Sequence, residues 1–463
     1  MDIVVELARN VLETNFERLS LTTVETTKKF ILDTLGVGMA GSSAEGAAQV
    51  IDQVKEWGGR EESTILVRGG RVPAPMAALA NSVMFHARDF DDTHDGAVVH
   101  ANAPILPAAL AAVEKIGGCT GREFLSSMCT GIDLACRLGL AVGKAQERAG
   151  SEIKWMRTAV CGAFGAAAAS GRIMGLDVES LVNAMGILLS TTAGTRQVVI
   201  DSALTKRMQP GFMAQAALQA VHLARRGVTG CREVFEGPYG FFRLYWDGQY
   251  RREELTEGLG KHFEVDGLSF KPYPCCRYTH GAIDATLRCV KRNGLKPGDV
   301  KRVDVHLVKH HFFDVVSRPF EIRGNPTVDA QFSTPYTVAA AILDGRVFLD
   351  SFEPERVQQP RYAEMAQRVF VHIDQDIVDP ASMGPVTVEF TTCGGQRHSE
   401  TVNEFKGHPR NPLSVEECRE KFVQCAEYSV HPFPATRLEE ISHKVMALDS
   451  LQDAGEVARL MAP

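Results

Sequence analysis

Apolar residues recur at helical spacing through most of the first 265 positions. Val4, Leu7, Ala8 and Leu12 share one face of a predicted helix over Ile3–Phe16. Phe30, Ile31, Leu35 and Val37 mark a second, running to about Met39 and opened by a capping box between Thr22 and Glu25. Gly36 and Gly38 near its end permit close approach of a neighbouring helix. STILVRGGRVPAP, with its glycine pair, predicts a hairpin or loop. Helical stretches rich in alanine and glycine follow: one before Asp89, one after Pro107, then GREFLSSMCTGIDLACRLGLAVG, TAVCGAFGAAAASGRIMG and, capped by Asp177, VESLVNAMGILLSTTAG. Small residues let helix axes pack closely, so these stripes predict a tight helical core. TRQVVIDSALTKRMQPG predicts a loop, with a further helix from Phe212 onward.

Beyond about residue 266 the period changes from helical to alternating. Val300–Val308, Val369–Ile373 and Val386–Phe390 alternate as half-buried strands do, and a Gly394-Gly395 turn leads the last into a partner strand, RHSETV. QFSTPYTVAAAILDG and EMAQRV between them predict helices. From Ser414 the helical pattern returns with a capping box to Glu417 and one long final helix over LEEISHKVMALDSLQDAGEVARL. The prediction is a mainly α protein: a helical domain over 1–265, an α+β domain over 266–403, and a C-terminal helical segment over 404–463 that packs back on the first.

Composition narrows the class. The chain has 463 residues, too many for one ordinary core, with 44% hydrophobic and 23% charged positions as in soluble globular proteins. A net charge of −7 and the lack of a basic stripe exclude a nucleic-acid partner. The eleven cysteines are odd in number and show no C-x-x-C spacing, and MDIVVELARN lacks the basic-then-apolar order of a signal peptide, so a reduced, cytoplasmic setting is expected. Adjacent Cys275 and Cys276 are read as free thiols. The longest uncharged run, Gly96–Val113, carries His100, Asn102, Pro104 and Pro107, which argues against a membrane span.

Candidate chemistry concentrates in MFHARDFDDTHDGAVVHANAPILP, Met84 to Pro107. Asp89, Asp91, Asp92, Asp95, Thr93 and three histidines lie among alanine, leucine and valine, where a fold alone has no use for such a density of ionisable groups. Asp89 to Thr93 fits D-x-D-x-T, a phosphatase nucleophile motif, but that motif follows a buried strand and here follows a helical stretch. Asp91 to Asp95 fits the magnesium-binding D-D-x-x-D, but the sequence offers no second acidic cluster to complete it. His306, His310 and His311 have no carboxylate that completes a metal set and read as solvated or hydrogen-bonded. Neither a P-loop, H-E-x-x-H nor G-x-S-x-G occurs, so the expected chemistry is acid–base work with no cofactor and no metal.

HARDFDDTH with HANAPILPAAL, then TKRMQPGFMAQAAL, FKPYPCCRYTHGAIDA and DAQFSTPYTVAAAILDG, together resemble the MmgE/PrpD family in content and in order. That family includes 2-methylcitrate dehydratase, cis-aconitate decarboxylase and iminodisuccinate epimerase. The resemblance implies a homodimer, a lid role for the α+β domain, and a small anionic di- or tricarboxylate substrate. It also implies a site: Asp89, His100, Lys206 and His280 as catalytic residues, with Thr93 and Tyr336 binding substrate. Arg277 is a candidate second carboxylate anchor, since a guanidinium grips an oxyanion pair at two points. Lys206 and Thr93 would hold the substrate carboxylate and developing charge. His100 and His280 would move protons, Asp89 would orient or polarise one of them, and Tyr336 would donate from the lid.

Three departures qualify the transfer. Many relatives have H-P-S where this chain has His100-Ala101-Asn102, G-F-H-P-T where it has Trp155 to Thr158, and L-H-P-G where it has Met208 to Gly211. Met156 and Gln209 thus replace imidazoles. The leading expectation is a hydro-lyase acting by proton abstraction next to a carboxylate. Decarboxylation of an unsaturated tricarboxylate and epimerisation of an iminosuccinate-like acid stand beside it, as does a non-catalytic polycarboxylate-binding role.

Overall fold

The computed structural model describes residues 2–149, 153–309, 313–374 and 383–463, with backbone alone for 144–149. The fold is mainly α-helical with small sheets. Two compact units emerge: one takes the residues through Val198, Ala203–Leu268 and Ser414–Pro463, the other Val199–Ser202 and Ser269–Leu413.

The first unit is built from helices Val4–Glu13, Leu21–Gly41, Ala47–Trp57, Ala74–His86, Asn102–Ile116, Gly121–Ala149, Arg157–Ile173, Val178–Leu189 and Thr205–Ala224. Ser20, not Thr22, caps the second of these: its hydroxyl accepts the Thr23 amide at 3.0 Å. Asp177 caps as expected, accepting the Ser180 amide at 2.8 Å. The predicted hairpin is a pair of two-residue antiparallel strands, Ser63–Thr64 and Arg71–Val72. Small residues do bring helices together: a Cβ on Gly131 would sit 2.7 Å from the Gly165 carbonyl oxygen, and one on Gly36 3.0 Å from the Phe422 Cα. Gly121–Gly143 is the one stretch among the described residues long and apolar enough to cross a membrane, and it is wholly buried within the protein as a core helix.

Two helices start earlier than their prolines predict. Asn102–Ile116 contains Pro107 and Thr205–Ala224 contains Pro210, so Lys206 lies in a helical first turn rather than a loop. Ser414 and Glu417 form the predicted capping box, at 3.1 and 2.8 Å, ahead of Val415–Ala426. The single final helix is instead two, Ala435–Met446 and Gly455–Leu460. Asp453 accepts the Gly455 amide at 2.9 Å and so starts a new helix where the old one has ended.

The second unit carries a four-stranded sheet in the order Val369–Asp374, Val300–Val308, Val386–Thr392, Arg397–Val402. The first pair is parallel, with Val305 opposite Val371, and the others antiparallel, with Val305 opposite Val388 and Phe390 opposite His398. Val303, Val305, Val388 and Phe390 turn inward against Ala282, Ala285 and Cys289 of helix His280–Asn293, and against Val338 and Ile342 of helix Thr334–Asp344. Alternation along each strand thus builds one core face. His306 stacks on His372 with ring centroids 5.2 Å apart, and His372 Nε2 meets Asp304 at 2.7 Å. His310 and His311 lie outside the described residues. All eleven cysteines, Cys275 and Cys276 included, are free thiols.

Candidate active site

The segment from His86 to Asn102 is held by bonds made largely to its own ends. Helix Ala74–His86 stops at His86, and Asp89 follows in the left-handed region at φ 51°. Asp and Asn adopt that conformation more readily than other side chains. The chain then doubles back, with the His94 amide on the Val99 carbonyl and the Val98 amide on the His94 carbonyl, both at 2.8 Å. Val98 takes φ 55° there, a strained setting for a β-branched residue. Asp92 closes the loop by accepting the Ala101 amide at 3.0 Å and the Asn102 amide at 3.2 Å, satisfying the opening of helix Asn102–Ile116. The His100 amide donates to Thr158 Oγ1 at 3.1 Å. Lys421, from helix Val415–Ala426, donates to the Phe90 carbonyl at 3.0 Å and lies over the Phe90 ring at 3.8 Å, while pairing with Asp33 at 2.8 Å.

This frame presents two polar groupings. Lys206 Nζ meets Asp89 Oδ1 at 2.5 Å, with 11% and 6% of the two side chains exposed. Beside them, His86 Nδ1 meets Asp91 Oδ2 at 2.7 Å, and His100 Nδ1 faces the same oxygen at 3.4 Å without forming a hydrogen bond. The two imidazoles meet edge to face, 5.1 Å between centroids. Asp89 thus pairs with the lysine, and Asp91 with the histidines. Thr93 is buried, and so is its neighbour in sequence His94, whose Nε2 is held by Glu264 at 3.0 Å.

Burial divides these acids. It would raise Asp91, but the His86 and His100 imidazoles outweigh it and hold the carboxyl well below its usual range. Burial, then Asp91 and Asp33, push Asp92 up to about 8. Burial lowers His86 to about 4 against the pull of Asp91, and the Lys206 charge also acts on it. Near neutral pH His86 is thus a neutral donor through Nδ1 to an ionised Asp91, next to a protonated Asp92. Adjacent carboxyls with opposed environments are a pattern of acid–base sites. The His86, Asp91 and His100 ligand atoms lie within 4.8 Å of one another, the one such group among the described residues. A divalent ion can span that separation, yet the 2.7 Å contact is a charge-assisted hydrogen bond in its own right.

Three predicted residues belong to the second unit. His280 is fully buried at the start of helix His280–Asn293; its Nε2 lies 3.3 Å from the Cys275 carbonyl, and its ring meets Tyr273 edge-on at 5.2 Å. Arg277 is buried, donates to the Phe270 and Lys406 carbonyls at 3.2 and 3.3 Å, and stacks on Phe405 at 4.4 Å. Tyr336 is fully buried among Phe320, Phe352 and Tyr362, and its hydroxyl donates to the Ser351 carbonyl at 2.5 Å. That bond uses the only hydroxyl hydrogen, so the expected donation from Tyr336 to a substrate is not met in this geometry.

Sequence reasoning left out His86 and Asp91. Both stood inside the conspicuous cluster, and the signal was there: a histidine closing a helix five positions before a buried carboxylate. Gln209 Nε2 braces the Thr195 carbonyl at 3.1 Å, and the Met156 amide the Gly194 carbonyl at 2.9 Å.

Comparison with known proteins finds relatives along nearly the whole chain. Residues 5–253 match the MmgE/PrpD N-terminal domain and residues 273–446 the MmgE/PrpD C-terminal domain. Cis-aconitate decarboxylase of Mus musculus is 27% identical over 452 residues, covering 95% of this chain and 89% of its own. Cis-aconitate decarboxylase-like protein oryM of Aspergillus oryzae is 26% identical, covering 100% and 97%. 2-Methylcitrate dehydratase of Salmonella typhimurium is 22% identical, covering 86% and 84%. All three are named for lyase chemistry on small polycarboxylates or for likeness to it.

Proposed function

The chain belongs to the MmgE/PrpD family, and from that premise we propose that it is a cofactor-independent lyase acting on a small tricarboxylate. The observation that carries the reading is the buried pairing of Lys206 with Asp89 beside the His86–Asp91–His100 group. Lys206 is the cation for a substrate carboxylate and for charge that develops beside it. An imidazole supplies or removes the proton at the neighbouring carbon. A tuned acid or base contributes about 10²–10⁴-fold, and a preorganised cation a further few kcal/mol.

Decarboxylation takes precedence over dehydration, because the relatives named for it match at higher identity and over more of the chain. In that reaction the C–C bond to the departing carboxylate breaks, CO2 leaves, and the electron pair left on carbon takes a proton from an imidazolium. In dehydration the C–H bond breaks first and hydroxide leaves with a proton. His280 is proposed as a second proton-transfer group.

Assay of citrate, 2-methylcitrate, cis-aconitate and iminodisuccinate decides between them. CO2 release from cis-aconitate is the expected result. Water exchange on a citrate without CO2 release replaces it by dehydration, and deuterium incorporation in D2O without net loss of either replaces it by epimerisation. Binding of the panel with no turnover of any member ends the enzyme reading and leaves the polycarboxylate-binding one.

A further inference from the structure

His100 presents its two ring nitrogens to different surroundings. Nδ1 is buried against Asp91 Oδ2 at 3.4 Å, while 17% of the side chain remains exposed. The exposed part therefore belongs to the remainder of the ring, whose far edge carries Nε2. Asp91 is itself fully buried and held at the same oxygen by His86 Nδ1 at 2.7 Å, and among the described residues its second oxygen, Oδ1, has no hydrogen-bond partner. The His86 ring edge against the His100 ring at 5.1 Å restricts how His100 can turn. A backbone bond from the His100 amide to Thr158 at 3.1 Å fixes the residue from a third direction.

We propose that Asp91 is the positioning residue of His100, accepting its Nδ1–H and leaving Nε2 as the atom that exchanges a proton with substrate, and that His86 holds Asp91 to this task. The inference rests on the lyase reading and deepens it. The carboxylate at Nδ1 does three things. It selects the Nδ1–H tautomer, aims Nε2 outward, and stabilises the imidazolium that exists while the proton is on the ring. The 3.4 Å separation is longer than a formed bond. Catalytic hydrogen bonds commonly shorten only when substrate binds. His86 completes the arrangement because a neutral imidazole gives Asp91 a hydrogen bond without neutralising its charge, so the carboxylate stays available to His100. Two imidazoles on one carboxylate thus divide the work: one anchors and one reacts.

The test reads the tautomer directly. In the intact protein labelled with 15N-histidine, with the His100 signals assigned by His100→Gln, the expected pattern is an Nδ1 that is protonated in the neutral ring and in the imidazolium alike, sharpened by a bound tricarboxylate. Asp91→Ala should let the Nε2–H form appear and lower kcat by about 10²-fold or more, with KM changed by less than about threefold. A wild-type His100 protonated at Nε2 and not at Nδ1, with and without tricarboxylate, overturns the proposal, as does an Asp91→Ala enzyme with unchanged kcat. The wild-type spectrum decides the matter even where Asp91→Ala does not fold. An Nδ1–H pattern in a protein that turns over none of the four acids supports the positioning role and counts only against the lyase reading.

Discussion

Lys206 and Asp89 form a buried ion pair across 117 positions of sequence, Nζ to Oδ1 at 2.5 Å. A charge taken out of water on each side makes this contact structural as well as chemical. Removing one partner strands the other, which typically costs about 3–5 kcal/mol.

Lys206→Ala is therefore expected to abolish turnover and to lower the melting temperature too, since the buried Asp89 carboxylate loses the lysine's charge. The paired variant Lys206→Met with Asp89→Asn removes both charges and should recover much of the melting temperature while remaining inactive. Thermal unfolding of the three proteins beside an activity assay checks this. A Lys206→Ala protein that is both stable and active would refute the site.

Asp92 gives a pH signature. In the unfolded chain its carboxyl ionises near 3.8, and in the folded protein near 8. Between those values the folded state holds the extra proton, so the contribution is complete below 3.8 and is lost as pH rises through 8. Asp92→Asn keeps an oxygen for the Ala101 and Asn102 amides and cannot ionise. Its melting temperature should gain on the wild type progressively from pH 5 to pH 9, and a difference that stays flat with pH would refute the assignment.

Lys421 joins Asp33 and the Phe90 carbonyl at 2.8 and 3.0 Å. Lys421→Met leaves Asp33 buried without its cation and Phe90 without its tether, and is expected to destabilise by about 3–5 kcal/mol in chemical denaturation. Adding Asp33→Asn should restore most of that loss but not full activity, because Phe90 separates Asp89 from Asp91. Full activity in the double variant would show that the tether is dispensable.

Periodicity alone located most of the helices and the four-stranded sheet, because each buries one face and the spacing of that face survives in the sequence. Both failures at the site helices have one cause. The pattern places Pro107 and Pro210 ahead of their helices, yet each is the sixth residue of its helix. A proline there removes one ladder hydrogen bond, a local cost that packing of the surrounding apolar residues overrides. The chemistry of the Asp89–His100 stretch was legible as an improbable density of charge. Its pairing was not, because the left-handed turn at Asp89 sends that side chain to Lys206 and leaves Asp91 for the histidines. The Tyr336 hydrogen bond was equally invisible, since nothing local predicts that the Ser351 carbonyl will accept it.

The tether on Phe90 arrives 331 positions after the residue it holds. A ribosome making this protein therefore exposes the whole acidic stretch, with Asp33 awaiting its lysine, long before helix Val415–Ala426 emerges. Competence should appear abruptly once that helix has emerged instead of growing with chain length, and nascent chains stalled short of Lys421 should remain inert and open to proteolysis around Asp89.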